Sequence, residues 1–127
     1  MKKKETELLL HEWSNYAYAD LEAAHLILNQ SENYHLSLYH SHQAIEKIMK
    51  WFLIVKQKEF PFVHDFEKLM PLIESYNDLS DYKNNLTKVN NFFPKLRYPS
   101  GDSITKKEAE FAYKTAENFL KFLSGLV

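Results

Sequence analysis

Cysteine is absent from the chain. Disulfides, zinc thiolate sites, thiol nucleophiles and iron–sulfur clusters are therefore excluded by composition alone. The absence suits a reducing cytoplasm, which is the expected location. Glycine occurs only twice, too rarely to build a phosphate-cradling loop, and no Walker loop, GxGxxG or GxSxG pattern is present. Nucleotide hydrolysis by those routes is excluded. The longest unbroken apolar run, Trp51 to Val55, falls far short of the roughly 20 residues that cross a bilayer. The apolar run after Lys2 to Lys4 is only Leu8, Leu9 and Leu10 before His11 and Glu12, too short for a signal peptide. No charge of one sign dominates either: sixteen basic side chains meet seventeen acidic ones, for a net charge of -1. Without a whole-protein basic field, any contact with nucleic acid must be local.

What the chain does contain is apolar material, 45% hydrophobic and 15% aromatic over 127 residues. That is enough for one core and one domain spanning residues 1–127, with 1–5 expected as a frayed, solvated start. The apolar residues recur at spacings of three and four, so the reading is all-α. A first helix is expected from about Thr6 to Asn29, with a stripe of Leu9, Leu10, Trp13, Ala17, Leu21, Ala24, Ile27 and Leu28. A second, about Tyr34 to Lys56, carries Leu38, Ser41, Ile45, Ile48, Phe52 and Val55. Pro61 marks a connector at Glu59 to Val63. A third helix opens near His64 or Asp65, and Pro71 inside it predicts a short or kinked element. A fourth, Tyr82 to Phe93, is expected to stop at Pro94, with Arg97 to Ile104 as a loop. Thr105 and Glu108 form a capping box for the last helix, which runs to about Ser124 on Ala109, Ala112, Ala116, Phe119, Leu120 and Leu123. Four to five helices on short loops predict an antiparallel up-and-down bundle.

Some residues are not explained by a core. Projected at about 100° per residue, Gln43, Glu46, Lys47 and Lys50 of the second helix fall on an arc turned away from its core stripe. That arc reads either as an ordinary solvated face or as part of a site. Leu36, Tyr39, Met49, Leu53 and Ile54 lie on or beside it, so an uncovered helix would expose an apolar ring around its charges. A second copy is the simplest cover, which predicts a homodimer. Asp20 lies on the inner stripe of the first helix, where an unpaired carboxylate costs several kcal/mol. It needs a Lys, the Arg or a Tyr hydroxyl as partner, or else serves catalysis.

Fifteen of the sixteen basic residues are lysine, and the sole arginine is Arg97. Arginine offers a planar fork that clasps phosphate or carboxylate in two-pronged fashion, whereas lysine is a mobile point charge. Arg97 therefore reads either as a ligand for phosphate or as a tie to Glu46 or Asp20. Tyr98 is a core lid or a base-stacking platform. Asp65 at a helix start caps backbone donors, leaving His64 available as an acid or base. A metal is not expected: His40 and His42 are two apart on a helix and face about 160° away from each other, and no HExxH spacing occurs. No cofactor is expected.

Together, Trp13, Ala17, Asp20 and Leu21; His42, Gln43, Ala44, Ile45, Glu46, Lys47 and Lys50; Pro61, His64 and Asp65; and Arg97, Tyr98 and Pro99 resemble the HEPN domain family, named for nucleotide binding in higher eukaryotes and prokaryotes. The resemblance spans nearly the whole chain. It implies an up-and-down helical bundle that commonly dimerises, with Gln43, Glu46, Lys47 and Arg97 facing a nucleotide or RNA pocket. Many members resemble toxins that cut RNA without metal through an Arg followed four to six residues later by a His. No histidine follows His64 here, so that dyad is missing. The Gln-Ala-x-Glu-Lys and Arg-Tyr-Pro patterns are similar to those of stand-alone HEPN proteins that accompany a minimal nucleotidyltransferase, as nucleotide or substrate binders or as one half of a toxin–antitoxin pair. The expectation is a dimeric module, not a catalyst alone, in which Arg97 and Lys47 hold phosphate, Gln43 and Glu46 orient it, Tyr98 packs near the base and Lys50 belongs to the same nucleotide site. Asp20 and Asp65 support the site. The rivals are a metal-independent ribonuclease, with His64 in place of the missing histidine beside Arg97, and a helical dimerisation adaptor.

Overall fold

A chain whose apolar side chains return every three or four residues buries them only by coiling into helices and laying those helices together. The computed structural model describes residues 3–63, 65–97 and 103–127, with side chains for 7–63, 65–96 and 103–127. Among them are six helices and no strand: α1 (Lys3–Gln30), α2 (Tyr34–Val55), α3 (Phe66–Glu74), α4 (Ser80–Asn91), α5 (Phe93–Arg97) and α6 (Lys106–Gly125). Five of them have nine residues or more, as an up-and-down bundle requires.

α2 is the central element, packing against α1, α3, α5 and α6. Its Leu38, Ile45, Ile48 and Phe52 are fully buried against Phe66 and Leu69 of α3 and against Phe119, Leu120 and Leu123 of α6. α1 meets it through small residues. Ala17 and Ala24 are fully buried, and with so little side chain between the helices the Ser37 hydroxyl donates to the Ala24 carbonyl at 2.7 Å. The opposite edge of α1 is tied to α6, where the Tyr18 hydroxyl lies 2.8 Å from Ser124 Oγ.

The ends of the helices follow local chemistry. Asp65 caps α3, accepting from the Glu67 amide at 2.9 Å. With Pro71 inside it, α3 reaches only nine residues, since proline lacks the amide the helical ladder needs. At α6 the Glu108 amide donates to Thr105 Oγ1 and the Thr105 amide to Glu108 Oε1, the reciprocal capping box expected from the sequence. Several boundaries differ from expectation, among them the start of α4 at Ser80 rather than Tyr82. α1 begins at Lys3, not Thr6. Pro94 does not end the fourth helix: α4 already stops at Asn91, and Pro94 lies in the first turn of α5, which extends to Arg97. A proline is tolerated there because a first-turn amide has no intrahelical acceptor to lose.

On the outer face of α6 the Tyr113 hydroxyl donates to Glu117 Oε2 at 3.0 Å, and Lys114 sits 3.5 Å from Glu117 Oε1. The Tyr113 bond, followed by the nearby lysines, holds the Glu117 carboxyl below its ordinary value, whereas burial and the same carboxylate raise Tyr113. A lowered Glu117 contributes stability above the ordinary glutamate range that is lost as pH falls through its folded value. A raised Tyr113 contributes stability below the ordinary tyrosine range that is lost as pH rises through its own. In Tyr113→Phe, the Glu117 midpoint followed by carboxyl-carbon NMR should climb toward that of an ordinary glutamate, while the lysines keep part of the depression. An unchanged midpoint would place the cause elsewhere.

Candidate functional site

Asp20, on α1, turns into the seam with α2. Its Oδ1 lies 2.8 Å from His40 Nδ1 and its Oδ2 accepts from Lys47 Nζ at 2.5 Å. His40 and Lys47 are seven residues apart, two helical turns, so both project from one side of α2. To bond the carboxylate, His40 Nδ1 must carry a proton. The partner expected for Asp20 is thus a lysine, and a histidine that the sequence reading left unassigned joins it. The signal for His40 was its spacing to Lys47. Aromatic faces close the seam: Tyr39 packs edge-on to His40 with ring centroids 5.4 Å apart, and the Lys47 ammonium sits 5.8 Å from the centre of the Tyr16 ring.

The arc expected to face away from the core is not solvated. Glu46 and Lys50 are buried, at 2% and 5% exposure, and Gln43 is half-buried. α1 lies along this side of α2. Its Trp13 ring stands 5.5 Å from the Lys50 ammonium, which is 3.9 Å from Glu46 Oε2. Two buried charges tolerate this only as a pair with an aromatic face beside them. Met49 and Leu53 of the expected apolar ring are fully buried within the same chain, while Leu36 and Tyr39 stay exposed. The cover that suggested a second copy is therefore supplied largely by the chain's own α1 and core.

A second polar cluster joins α2, α3 and α4. His42 is fully buried and stacked between Phe66 and Phe93, with ring centroids at 4.3 and 4.6 Å. Its Nε2 lies 3.3 Å from Asn90 Oδ1, which also accepts from the Phe66 amide, while Asn90 Nδ2 donates to Asp65 Oδ1 at 2.8 Å. Because the Asn90 amide group is committed to the carboxylate, its oxygen faces the ring and Nε2 must be the donor. Asp65 thereby holds both the start of α3 and the end of α4. Asn90 was missed by the sequence reading, since a lone asparagine near a helix end carries no distinguishing spacing. For His42 the available signal is its place between the core positions Ser41 and Ile45, where burial demands a partner.

Arg97 is the last residue of α5, and α5 packs against α2. The Arg97 side chain, His64 and Tyr98 lie outside the described residues. Among the described residues no three His, Asp or Glu side chains gather to hold a metal, and no helix is long and apolar enough to cross a membrane.

A helical bundle organised on a central helix, with an Asp–His–Lys seam on one flank and a His–Asn–Asp cluster at the neighbouring helix ends, defines an all-helical module with two polar clusters. The family model of the HEPN domain matches residues 10–126, and the chain belongs to that family. At the level of the family it is a nucleotide- or RNA-related module. Among solved structures, TT1696 from Thermus thermophilus superposes with a TM-score of 0.82 at 20% identity, covering 93% of this chain and 98% of its own. ST0689, an archaeal HEPN homologue, gives 0.74 at 22% identity, covering 92% and 96%. At these identities the two structures establish the shared fold. No curated protein matches the chain.

Proposed function

We propose that the protein is a nucleotide- or RNA-binding HEPN module, without catalytic activity of its own, that serves a separately encoded minimal nucleotidyltransferase in a toxin–antitoxin type system and works as a homodimer. The observation that carries the reading is the position of the sole arginine at the end of a helix packed on α2, the helix that carries Gln43, Glu46 and Lys47. In this reading Arg97 takes a phosphate on its fork and Tyr98 packs near the base. Lys47, held by Asp20 with about a quarter of its side chain exposed, adds a second phosphate contact. Gln43 orients the ligand, whereas Glu46, only 2% exposed, supports the site from within rather than touching the ligand. Lys50 is buried on Glu46 and Trp13, so its role shifts from ligand contact to holding Glu46.

The test is a thermal-shift titration with ATP and with a short single-stranded RNA, comparing wild type with Arg97→Lys. Lysine keeps the charge but loses the fork, so at least one ligand should raise the wild-type melting temperature by several degrees and the variant's by clearly less. Equal shifts would remove Arg97 from the site.

A further inference from the structure

Both α2 lysines expected at the nucleotide site meet a carboxylate, Lys47 on Asp20 and Lys50 on Glu46. Lys83 and Lys114 are likewise matched, to Glu74 and Glu117. Of the described lysines without an ion pair, three share one place. Lys88 of α4, Lys95 of α5 and Lys107 of α6 line an open cavity of about 480 Å³, and among the described residues none of them has an ion pair. The floor is apolar, formed by the half-buried rings of Phe92 and Phe111, with the Lys88 ammonium 5.8 Å from the centre of the Phe111 ring. One acid is present, Glu108, and its Oε1 is engaged by the Thr105 amide.

Helix stability accounts for Lys88, in the last turn of α4, but not for Lys107. Lys106 and Lys107 open α6, where the positive end of the helix dipole favours acidic residues and opposes cations. In a chain whose net charge is -1, three ammonium groups against one carboxylate around two phenyl faces create a local positive field over a surface suited to stacking. That combination matches a planar aromatic group bearing phosphate: aromatic faces accept any base, and lysines track the backbone.

We infer that this α4–α5–α6 cavity holds one nucleotide of a single-stranded RNA, the base against Phe111 and Phe92 and the flanking phosphates on Lys88, Lys95 and Lys107. The inference deepens the proposed function and rests on it for the class of ligand. It makes that ligand a strand rather than a lone nucleotide, because three lysines around one stacking surface suit the successive phosphates of a backbone.

The experiment is fluorescence anisotropy with a fluorescein-labelled ten-nucleotide single-stranded RNA at several salt concentrations, with circular dichroism confirming that each variant keeps its helices. The triple variant Lys88→Gln, Lys95→Gln, Lys107→Gln should bind at least about tenfold more weakly. Its log–log salt slope should shrink by about two, the value for three lost phosphate contacts on a single strand. Phe111→Leu should weaken binding about fivefold to tenfold through lost stacking and leave the slope unchanged. Unlabelled polyaspartate should compete poorly. Full affinity and slope in the triple variant, with weakening only in Arg97→Lys, would overturn the cavity while sparing the proposed function. Efficient displacement by polyaspartate would also overturn it, in favour of an acidic protein segment. A wild-type protein that binds no RNA would overturn both readings.

Discussion

Truncating His42 to alanine should cost about 3–5 kcal/mol of folding stability, the range for removing a buried aromatic ring, and lower the melting temperature by roughly 10–20 °C. The imidazole fills the space between Phe66 and Phe93, and a methyl group leaves both phenyl faces without contacts. Its Nε2–H also bonds Asn90 Oδ1, on which the Phe66 amide depends as well. His42→Phe separates the two contributions. It restores the stacked volume and lacks the donor, so it should lose only about 1–2 kcal/mol, the cost of one unsatisfied buried group. Urea denaturation followed by circular dichroism measures both. A loss below about 1 kcal/mol for the alanine variant would show that the sandwich contributes little, and an equal loss in both variants would assign the effect to the hydrogen bond alone.

The second large effect is expected at Asp20. Replacing it with alanine should destabilise the fold by about 2–3 kcal/mol, because the Lys47 ammonium and His40 Nδ1 would lose a shared acceptor whose side chain is only 13% exposed. Asp20→Asn retains the shape and one acceptor without the charge and should lose about half as much. Pairing Asp20→Ala with Lys47→Met in a double-mutant cycle isolates the ion pair, and the double variant should be more stable than the sum of the single losses predicts. Strict additivity would mean that the 2.5 Å contact has no energetic weight. The result also bears on function, since freeing Lys47 changes the charge offered to any phosphate beside α2.

Asp20 illustrates what the sequence made legible. A carboxylate on the inner stripe of a helix has to be paired, and its pairing could be read before any coordinates were known. The Thr105 and Glu108 box, the Asp65 cap and the apolar stripes of α2 and α6 were legible for the same reason, since each depends on neighbours one or two turns away. Contacts between distant segments were not. Glu46 and Lys50 look like a wet surface on a helical projection, and only the placement of α1, with Trp13 over Lys50, shows that they are buried. The link from His42 through Asn90 to Asp65 crosses 48 residues of chain on its first step, and no spacing rule reaches so far. Pro94 was misread because proline both ends helices and begins them, and a five-residue helix has too few positions to reveal its period. The cavity at Lys88, Lys95 and Lys107 combines three helices, and its charge is apparent only once those helices are brought together.

The measurement that tests the account most directly is an amide chemical-shift map of the isotope-labelled protein during titration with a short single-stranded RNA. Binding should move resonances of Gln43, Glu46, Lys47 and Arg97 together, with a second group at Lys88, Lys95, Lys107 and Phe111, and leave the opposite edge around Tyr18 and Ser124 undisturbed. Unchanged spectra at millimolar RNA and at millimolar ATP, or shifts confined to that opposite edge, would contradict it.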